Sequence, residues 1–242
     1  MKPAAMLAQL AADGAAMHAA AVDVTAAVPT CPQWSVADVL EHTGAVYAHK
    51  ATVLEGDLDG PPRPWPPDWQ IADVREFFDE QLHRVIEALR TRDPATKVWT
   101  WFEPDQTIRF WVRRMMQETV IHRADVESAY GDIARAPDEV ALDGIDELLM
   151  CMLAYDDEGY AEAPGQGERV AVESGDARWV VTLGAERATV ERGRGSADAT
   201  ISGRPGDVLL ALWNRLPYDA VTTSGEATAL EAMRAAVAAV TQ

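Results

Sequence analysis

The first half of the chain contains four stretches in which apolar residues recur every three or four positions, the spacing of an amphipathic helix. The predicted helices cover residues 3 to about 26, Ser35 to about Leu54, about Ile71 to Thr91, and about Thr107 to Tyr130. Ser35 and Asp38 approximate a capping box at the start of the second helix. The stretch EGDLDGPPRPWPPDW is too rich in Pro and Gly for helix or sheet, so it predicts a crossover loop. With no internal repeat, this order favours a four-helix bundle.

The pattern changes after GDIARAPDEVA, which we interpret as a linker. A helix from about Asp143 to Leu153 is followed by four segments of strand character, RVAVES, RWVVTLG, RATVERG and ATISG, separated by Gly-bearing turns. Two helices, PGDVLLALWNR and GEATALEAMRAAVAAV, complete a small α+β unit. The predicted domains are therefore residues 1–135 and 136–242.

Two of the predicted helices carry ionisable groups on the face that their apolar residues mark as buried. The stripe of the fourth helix consists of Trp111, Met115, Glu118, His122 and Val126. The stripe of the second helix consists of Val39, His42, Val46, His49 and Val53. An ionised carboxylate inside a bundle requires a proton, a charged partner or a cation.

Glu118 and His122 lie four residues apart, so both side chains can converge on one ion. Either His42 or His49 can supply a third ligand from the second helix. Two imidazoles and a carboxylate suit zinc and, less selectively, iron, nickel or cobalt. The alternative is that the inward histidines are ordinary hydrogen-bonded core residues. His-Glu-x-x-His, the helical metalloprotease motif, does not occur in the sequence.

The composition limits the binding partners and the cellular compartment that we expect for the protein. The formal charge of −18 repels nucleic acid and anionic membrane surfaces, so we expect neither as a partner. The sequence contains no apolar run of membrane-spanning length, and its N-terminus lacks the pattern of a signal peptide. Cys31 and Cys151 provide neither a disulfide framework nor a Cys-x-x-Cys site. We expect a cytoplasmic protein that is a monomer or a weak homodimer.

Two stretches resemble the signatures of a known family. CPQWSVADVLEHTGAV resembles the Trp-(Ser/Thr)-Val-x-Asp-Leu-x-x-His signature of mycothiol-dependent maleylpyruvate isomerase-like proteins, and QETVIHRADVE resembles their Glu-x-x-x-His-Arg-x-Asp-x-Glu signature. These proteins belong to the DinB-like group of metal-binding four-helix bundles. The segment ADATISGRPGDVLLALWNR is similar to their second domain, which is related to sterol carrier proteins. The implied fold class is α plus α/β, a DinB-like four-helix bundle followed by a small α+β domain with a short sheet.

The resemblance also implies a ligand set. His42, Glu118 and His122 match the three residues that bind zinc, or another divalent transition metal, in the family. The resemblance therefore implies His42 as the third ligand, and it implies that His49 is a pocket or core residue.

The family's second domain contributes an arginine to the active site, and Arg215 is the matching residue, with Arg204 in reserve. Family members often have glycine before that arginine, where this chain has Asn214.

The implied activity is that of a zinc-dependent S-transferase or cis-trans isomerase that uses mycothiol as cosubstrate. A three-ligand zinc site leaves a position open, and a thiol there becomes a thiolate that attacks a small electrophile. Two alternatives stay open: a non-catalytic metal- or ligand-binding module whose second domain buries an apolar molecule, and metal-assisted hydrolysis, which lacks an obvious general base.

Several other residues have two interpretations. Arg109 and Arg113 either receive substrate carboxylates or form solvated helix surface. Arg123 either orients the ligands or forms a surface salt bridge, with the candidate partners Asp38, Asp125 and Glu127.

The aromatic residues of the connections are also open to two interpretations. The loop tryptophans either wall a pocket or seal the domain junction; they are Trp65, Trp69, Trp99 and Trp101. Trp34 is predicted to be a hydrophobic staple at the entry to the second helix.

Overall fold

The computed structural model describes residues 1–67 and 69–241, which form two compact units, Met1–Ala134 and Arg135–Gln242. The first unit contains four long helices: α1 (Pro3–Ala20), α2 (Val36–Glu55), α3 (Val74–Arg90) and α4 (Ile108–Ser128). The predicted capping box begins α2, because the Ser35 hydroxyl accepts from the Asp38 amide while the Asp38 carboxylate accepts from the Ser35 amide. At the start of α3 the Asp73 carboxylate accepts hydrogen bonds from the Arg75 and Glu76 amides.

The four helices form a bundle in which α2 packs against α3 and α4, and α1 packs against the same two helices. The core between them contains fully buried side chains from each helix; the largest are Trp111, Tyr47, Phe78, Met6 and Leu10. Burying one large apolar side chain of this kind stabilises the fold by about 1.5–3 kcal/mol. The bundle therefore provides a rigid support for polar groups placed on α2 and α4.

The first helix ends at Ala20, about six residues before its predicted end. The Asp23 carboxylate accepts hydrogen bonds from the Thr25 amide and hydroxyl, and this local turn competes with helical hydrogen bonding. Val22, Val24 and Thr25 are also β-branched, which makes them weak helix formers. Sequence periodicity alone did not show this competition.

The second unit contains three main helices and one sheet. Its helices are α5 (Asp138–Glu147), which continues as a π-helical segment (Leu148–Leu153), the single turn α6 (Asp157–Tyr160), α7 (Pro205–Leu212) and α8 (Ala227–Val240). The strands are β1 (Glu168–Ser174), β2 (Ala177–Leu183), β3 (Ala188–Arg192), β4 (Ala199–Gly203) and β5 (Thr222–Gly225). The sheet order is β3-β2-β1-β4-β5, with β1 and β4 parallel and the other pairs antiparallel.

The sheet packs against α7 and α8, and buried side chains of these elements form the core of the second unit. Three details differ from the prediction. The helix α5 begins five residues early, where Pro137 precedes it and two acidic residues stabilise its first turn. The elements α6 and β5 were not predicted, because α6 is a single turn and β5 is an exposed edge strand, TTSG, without apolar alternation.

A four-helix bundle followed by a small α+β unit with a short sheet is the architecture that the sequence and its resemblance predicted. Across the described part of the chain, no helix combines the length and the apolar character that crossing a membrane requires.

Candidate functional site

His42 of α2 and Glu118 and His122 of α4 converge at one point of the first unit. The Oε1 atom of Glu118 lies 3.4 Å from His42 Nε2 and 3.3 Å from His122 Nε2. One donor atom from each of the three residues lies within 4.8 Å of the other two. The three residues that the sequence selected as candidate ligands are therefore neighbours in the fold.

The distances and the donor types fit a metal ion. The two distances from Glu118 Oε1 to the imidazole nitrogens are longer than the roughly 2.7–2.9 Å of a charge-assisted hydrogen bond. Ligand atoms that each lie about 2.0–2.1 Å from a tetrahedral zinc are about 3.3–3.4 Å apart, because that is the edge of the tetrahedron. Imidazole nitrogens and a carboxylate oxygen are also donors that zinc accepts.

Arg114 holds the other oxygen of Glu118. The guanidinium donates to Glu118 Oε2 at 2.5 Å, and its side chain is almost fully buried. Burial raises the pKa of Glu118, but the positive charge of Arg114, together with His122, holds that pKa well below its usual range. Glu118 is therefore ionised, with Oε1 directed at the two imidazoles.

Asp125 holds the other side of the His122 ring. Its fully buried carboxylate lies 3.0 Å from His122 Nδ1 through Oδ2 and accepts from the Thr30 hydroxyl at 2.7 Å through Oδ1. Burial lowers the pKa of His122, but the Glu118 charge and the Asp125 hydrogen bond outweigh it and raise that pKa to about 9. The two carboxylates thus favour positive charge where the ligand atoms meet.

Trp34 lies over both imidazoles, with ring centroids 5.0 Å from His42 and 6.2 Å from His122. The sequence analysis predicted Trp34 as a hydrophobic staple, and its contact with the two imidazoles is an additional finding. The His42 side chain is 41% exposed while that of Glu118 is 14% exposed, so the site opens to solvent on the His42 side.

His49, the second histidine of the α2 stripe, does not reach this cluster. Its ring is buried, 4.7 Å from Trp65 and 6.4 Å from Trp99 between centroids, and its Nδ1 lies 3.2 Å from Lys50 Nζ. Burial, and secondarily the charge of Lys50, lower the pKa of His49 to about 4. His49 is a neutral residue of an aromatic core.

The hydrogen-bond partners of Arg123 differ in part from those predicted. It donates to Glu127 at 2.6 Å and to the buried carboxylate of Asp13 on α1 at 2.7 Å. It therefore ties α4 to α1, and of the three predicted partners only Glu127 receives these bonds. Arg109 is exposed, as the solvated-surface interpretation expects, and Arg113 is half-buried.

Arg215 lies in the second unit, just beyond α7. Its side chain donates to the carbonyl of Trp213 at 2.8 Å and lies over the Trp213 ring. Asn214 has a φ of 58°, a left-handed conformation that glycine and asparagine adopt most readily. An asparagine can therefore occupy a position where relatives have glycine. Arg204, the reserve candidate, is an exposed residue that precedes α7.

The loop tryptophans of the first unit form an aromatic cluster. Trp65 contacts Trp69, which contacts Phe77, while Trp99 contacts Trp111. Trp101 packs against two phenylalanines, Phe102 and Phe110. Trp69 also lines a cleft beside His42, as the pocket-wall interpretation expects for that residue.

Three contacts of the site were missed by sequence reasoning: those of Asp125, Arg114 and Trp34. The spacing would have shown two of them. Arg114 lies four residues before Glu118 and Asp125 lies three residues after His122, and both spacings place side chains on one helix face. The contact of Trp34 depends on the path of the loop before α2, which no local spacing encodes.

Comparison with known proteins identifies relatives of both units. The family model described as the mycothiol maleylpyruvate isomerase N-terminal domain matches residues 4–127, and that of the corresponding C-terminal domain matches residues 139–232. No curated protein sequence matches the chain significantly.

Solved structures resemble the chain over most of its length. A crystal structure of mycothiol-dependent maleylpyruvate isomerase has a TM-score of 0.66 at 14% identity, over 93% of this chain and 95% of the other. A histidine-to-alanine mutant of such an isomerase gives a TM-score of 0.67 at 13% identity, with the same coverage. At this identity the likeness establishes the fold.

Proposed function

The chain belongs to the mycothiol maleylpyruvate isomerase family, and on that premise we propose that it is a zinc-dependent enzyme that uses mycothiol, a low-molecular-weight thiol. The reaction is either S-transfer to a small electrophile or its cis-trans isomerisation. The observation that carries the proposal is the convergence of His42, Glu118 and His122: Glu118 Oε1 lies 3.4 and 3.3 Å from the two imidazole nitrogens, the length of a tetrahedral edge, and all three donor atoms lie within 4.8 Å of one another.

Three protein ligands, rather than the four of a structural site, leave a position for a substrate atom. A divalent ion bound there supplies one piece of chemistry, a lowered pKa for the thiol, so that the thiolate is present at neutral pH. The exposed side of His42 is where a thiol enters.

The surrounding residues keep the ligands in place. Arg114 occupies one oxygen of Glu118, so that only Oε1 is presented to an ion. Asp125 fixes the tautomer of His122 by accepting from Nδ1–H, which leaves Nε2 as the donor atom. Both contacts are buried, and solvent does not compete with them.

Both reactions begin with addition of the thiol to the electrophile. The thiol proton passes to solvent, and the sulfur forms a bond to an electrophilic carbon of a conjugated double bond. In isomerisation the former double bond rotates and the same carbon–sulfur bond breaks, so the thiol is regenerated. In S-transfer the adjacent carbon takes a proton and the thioether leaves. Arg215 is assigned the role of binding a carboxylate of the electrophile.

The test begins with elemental analysis of protein purified without chelators, which should contain about one zinc per chain. Thiol consumption is then measured with mycothiol and a panel of electrophiles that includes maleylpyruvate. His122→Ala should lose both metal and turnover, while His83→Ala, an exposed histidine of α3, should keep both.

Protein that binds no divalent metal, or a His122→Ala variant with unchanged turnover, would contradict the proposal. Bound zinc without turnover on any electrophile would favour the binding-module alternative.

A further inference from the structure

The helix α7 ends in a tight turn that determines where the backbone of Arg215 lies. The amide of Asn214 donates to the Ala211 carbonyl at 3.1 Å. The amide of Arg215 donates to the Leu210 carbonyl at 2.7 Å. These two bonds form a Schellman motif, which requires a left-handed residue at the position of Asn214, and its φ of 58° meets that requirement. The placement of Arg215 therefore depends on the conformation of the residue before it.

The left-handed conformation is less favourable for asparagine than for glycine. Glycine adopts positive φ freely because it has no Cβ atom, whereas a Cβ atom approaches the backbone too closely. Asparagine tolerates this conformation better than most residues, and its side-chain oxygen can accept a hydrogen bond. A donor to that oxygen can therefore stabilise the turn in a chain that has asparagine where family members often have glycine.

Arg234 of α8 is this donor. Its Nε atom donates to Asn214 Oδ1 at 2.9 Å. Its guanidinium also lies over the ring of Tyr218, 5.6 Å from the ring centroid, in a cation–π contact. Asn214 precedes Arg215 in the chain and Tyr218 follows it, so one side chain of α8 contacts the segment on both sides of Arg215.

The side chain of Arg215 is held against the same turn. It donates to the Trp213 carbonyl at 2.8 Å, and its guanidinium lies 5.8 Å from the centroid of the Trp213 ring. Trp213 is buried and cannot follow a movement of the turn. A change of φ at Asn214 would rotate Arg215 relative to Trp213 and break both contacts.

We propose that Arg234 is a positioning residue, which keeps Asn214 in the left-handed conformation and so fixes the turn from which Arg215 binds a carboxylate of the electrophile. The inference rests on the proposed function, because that function assigns carboxylate binding to Arg215. In this chain the contact from Arg234 replaces the conformational freedom that glycine would provide.

The first test measures hydrogen exchange of the Arg215 amide in the zinc-loaded full-length protein by NMR. Arg234→Ala should lower the protection of this amide about three- to tenfold, the effect of losing one hydrogen bond on a local opening equilibrium. In an Asn214→Gly background the same substitution should change the protection less than about twofold, because glycine does not need the contact.

Arg187→Ala is the matched control. It removes another exposed arginine of the same unit, one that pairs with Asp157, and should leave the protection of the Arg215 amide unchanged.

The second test measures turnover with mycothiol and two electrophiles, maleylpyruvate and dimethyl maleate, which has no free carboxylate. Arg234→Ala should raise the KM for maleylpyruvate about three- to tenfold and leave kcat within about twofold, because the contact affects binding of the carboxylate. The KM for dimethyl maleate should not change. Asn214→Gly should again remove the effect of Arg234→Ala.

Unchanged protection in Arg234→Ala, or an equal loss in the Asn214→Gly background, overturns this inference and leaves the proposed function intact. The same holds if Arg215→Ala raises the KM for maleylpyruvate and Arg234→Ala does not. If the zinc-loaded parent protein turns over neither electrophile, or if Arg215→Ala leaves the KM for maleylpyruvate unchanged, the role assigned to Arg215 in the proposed function fails as well.

Discussion

Each ionisable side chain at the candidate metal centre has a partner that accounts for its burial. Glu118 pairs with Arg114, and His122 lies against Asp125, which is itself held by the Thr30 hydroxyl. A buried charge without such a partner would cost several kcal/mol. The burial of Glu118 and His122 is therefore accompanied by a matching partner for each side chain.

Asp125→Asn should weaken zinc binding roughly 10- to 100-fold, because the variant keeps the shape of the side chain and loses the charge that orients and polarises His122. Zinc affinity is measured by competition with a chromophoric chelator. Glu127→Gln is the control on the same helix, because the described contacts of the Glu127 carboxylate are with Arg123 and the Ala134 amide. Equal affinities for Asp125→Asn and the parent protein would show that Asp125 does not support the ligand.

His49 should make the fold sensitive to acid. Its pKa of about 4 lies below the ordinary value of 6.5, so between these pH values the unfolded chain binds the proton more tightly than the folded chain. The free energy of unfolding therefore falls as pH drops from 6.5 towards 4, by up to about 3 kcal/mol from this residue.

His49→Gln cannot take up that proton and should lose less stability over this interval than the parent protein in urea unfolding. His83→Gln, at an exposed histidine, should behave like the parent. Identical pH profiles for His49→Gln and the parent would refute the assignment.

Close approach between helices shapes the bundle at the scale of its elements. A Cβ atom added to Gly44 of α2 would lie 2.7 Å from a ring carbon of Phe77, and one added to Gly14 of α1 would overlap Leu82. Both neighbours are on α3, so the two glycines let α3 pack directly against the backbones of α1 and α2. A glycine that weakens a helix by itself can therefore stabilise the bundle.

Gly44→Ala should destabilise the protein by about 1 kcal/mol or more, although alanine alone would favour the helix by about 1 kcal/mol. The Phe77 ring cannot move away freely, because it packs against Trp69. Adding Phe77→Leu to the Gly44→Ala protein should recover part of the loss. The comparison is made by urea denaturation, and a Gly44→Ala protein more stable than its parent would be contrary to this account.

At the scale of the whole molecule, the candidate ligands and the contacts that hold them belong to one unit. His42, Glu118 and His122 all lie within Met1–Ala134, whereas Arg215 belongs to Arg135–Gln242. Each unit has its own buried core. The proposed metal ligands and the residue proposed to bind a carboxylate therefore belong to different units.

A fragment of residues 1–134 should fold and bind zinc with nearly the affinity of the full chain, since it contains the three candidate ligands and the described contacts of Arg114, Asp125 and Thr30. It should lose turnover by at least about tenfold, because it lacks Arg215. Arg215→Ala in the full chain, with metal content unchanged, is the matched comparison. Full turnover by the fragment would show that Arg215 has no role in catalysis.

The amino-acid pattern by itself determined the four helices of the bundle, four of the five strands and the capping box that begins α2. These features depend on residues close together in the chain, whose periodicity and hydrogen bonding are visible in a linear sequence. The pair Glu118 and His122 was visible for the same reason, since four residues make about one helical turn.

Other features were decided only by the tertiary structure. His42 and His49 share one face of α2, but they are two turns apart, and the packing of α2 on α4 places His42 beside Glu118 and His49 among tryptophans. The contact of Trp34, the cleft beside His42 and the edge strand β5 likewise depend on which distant segments the fold brings together. Their energies come from contacts between residues far apart in the chain, and local periodicity carries no record of such contacts.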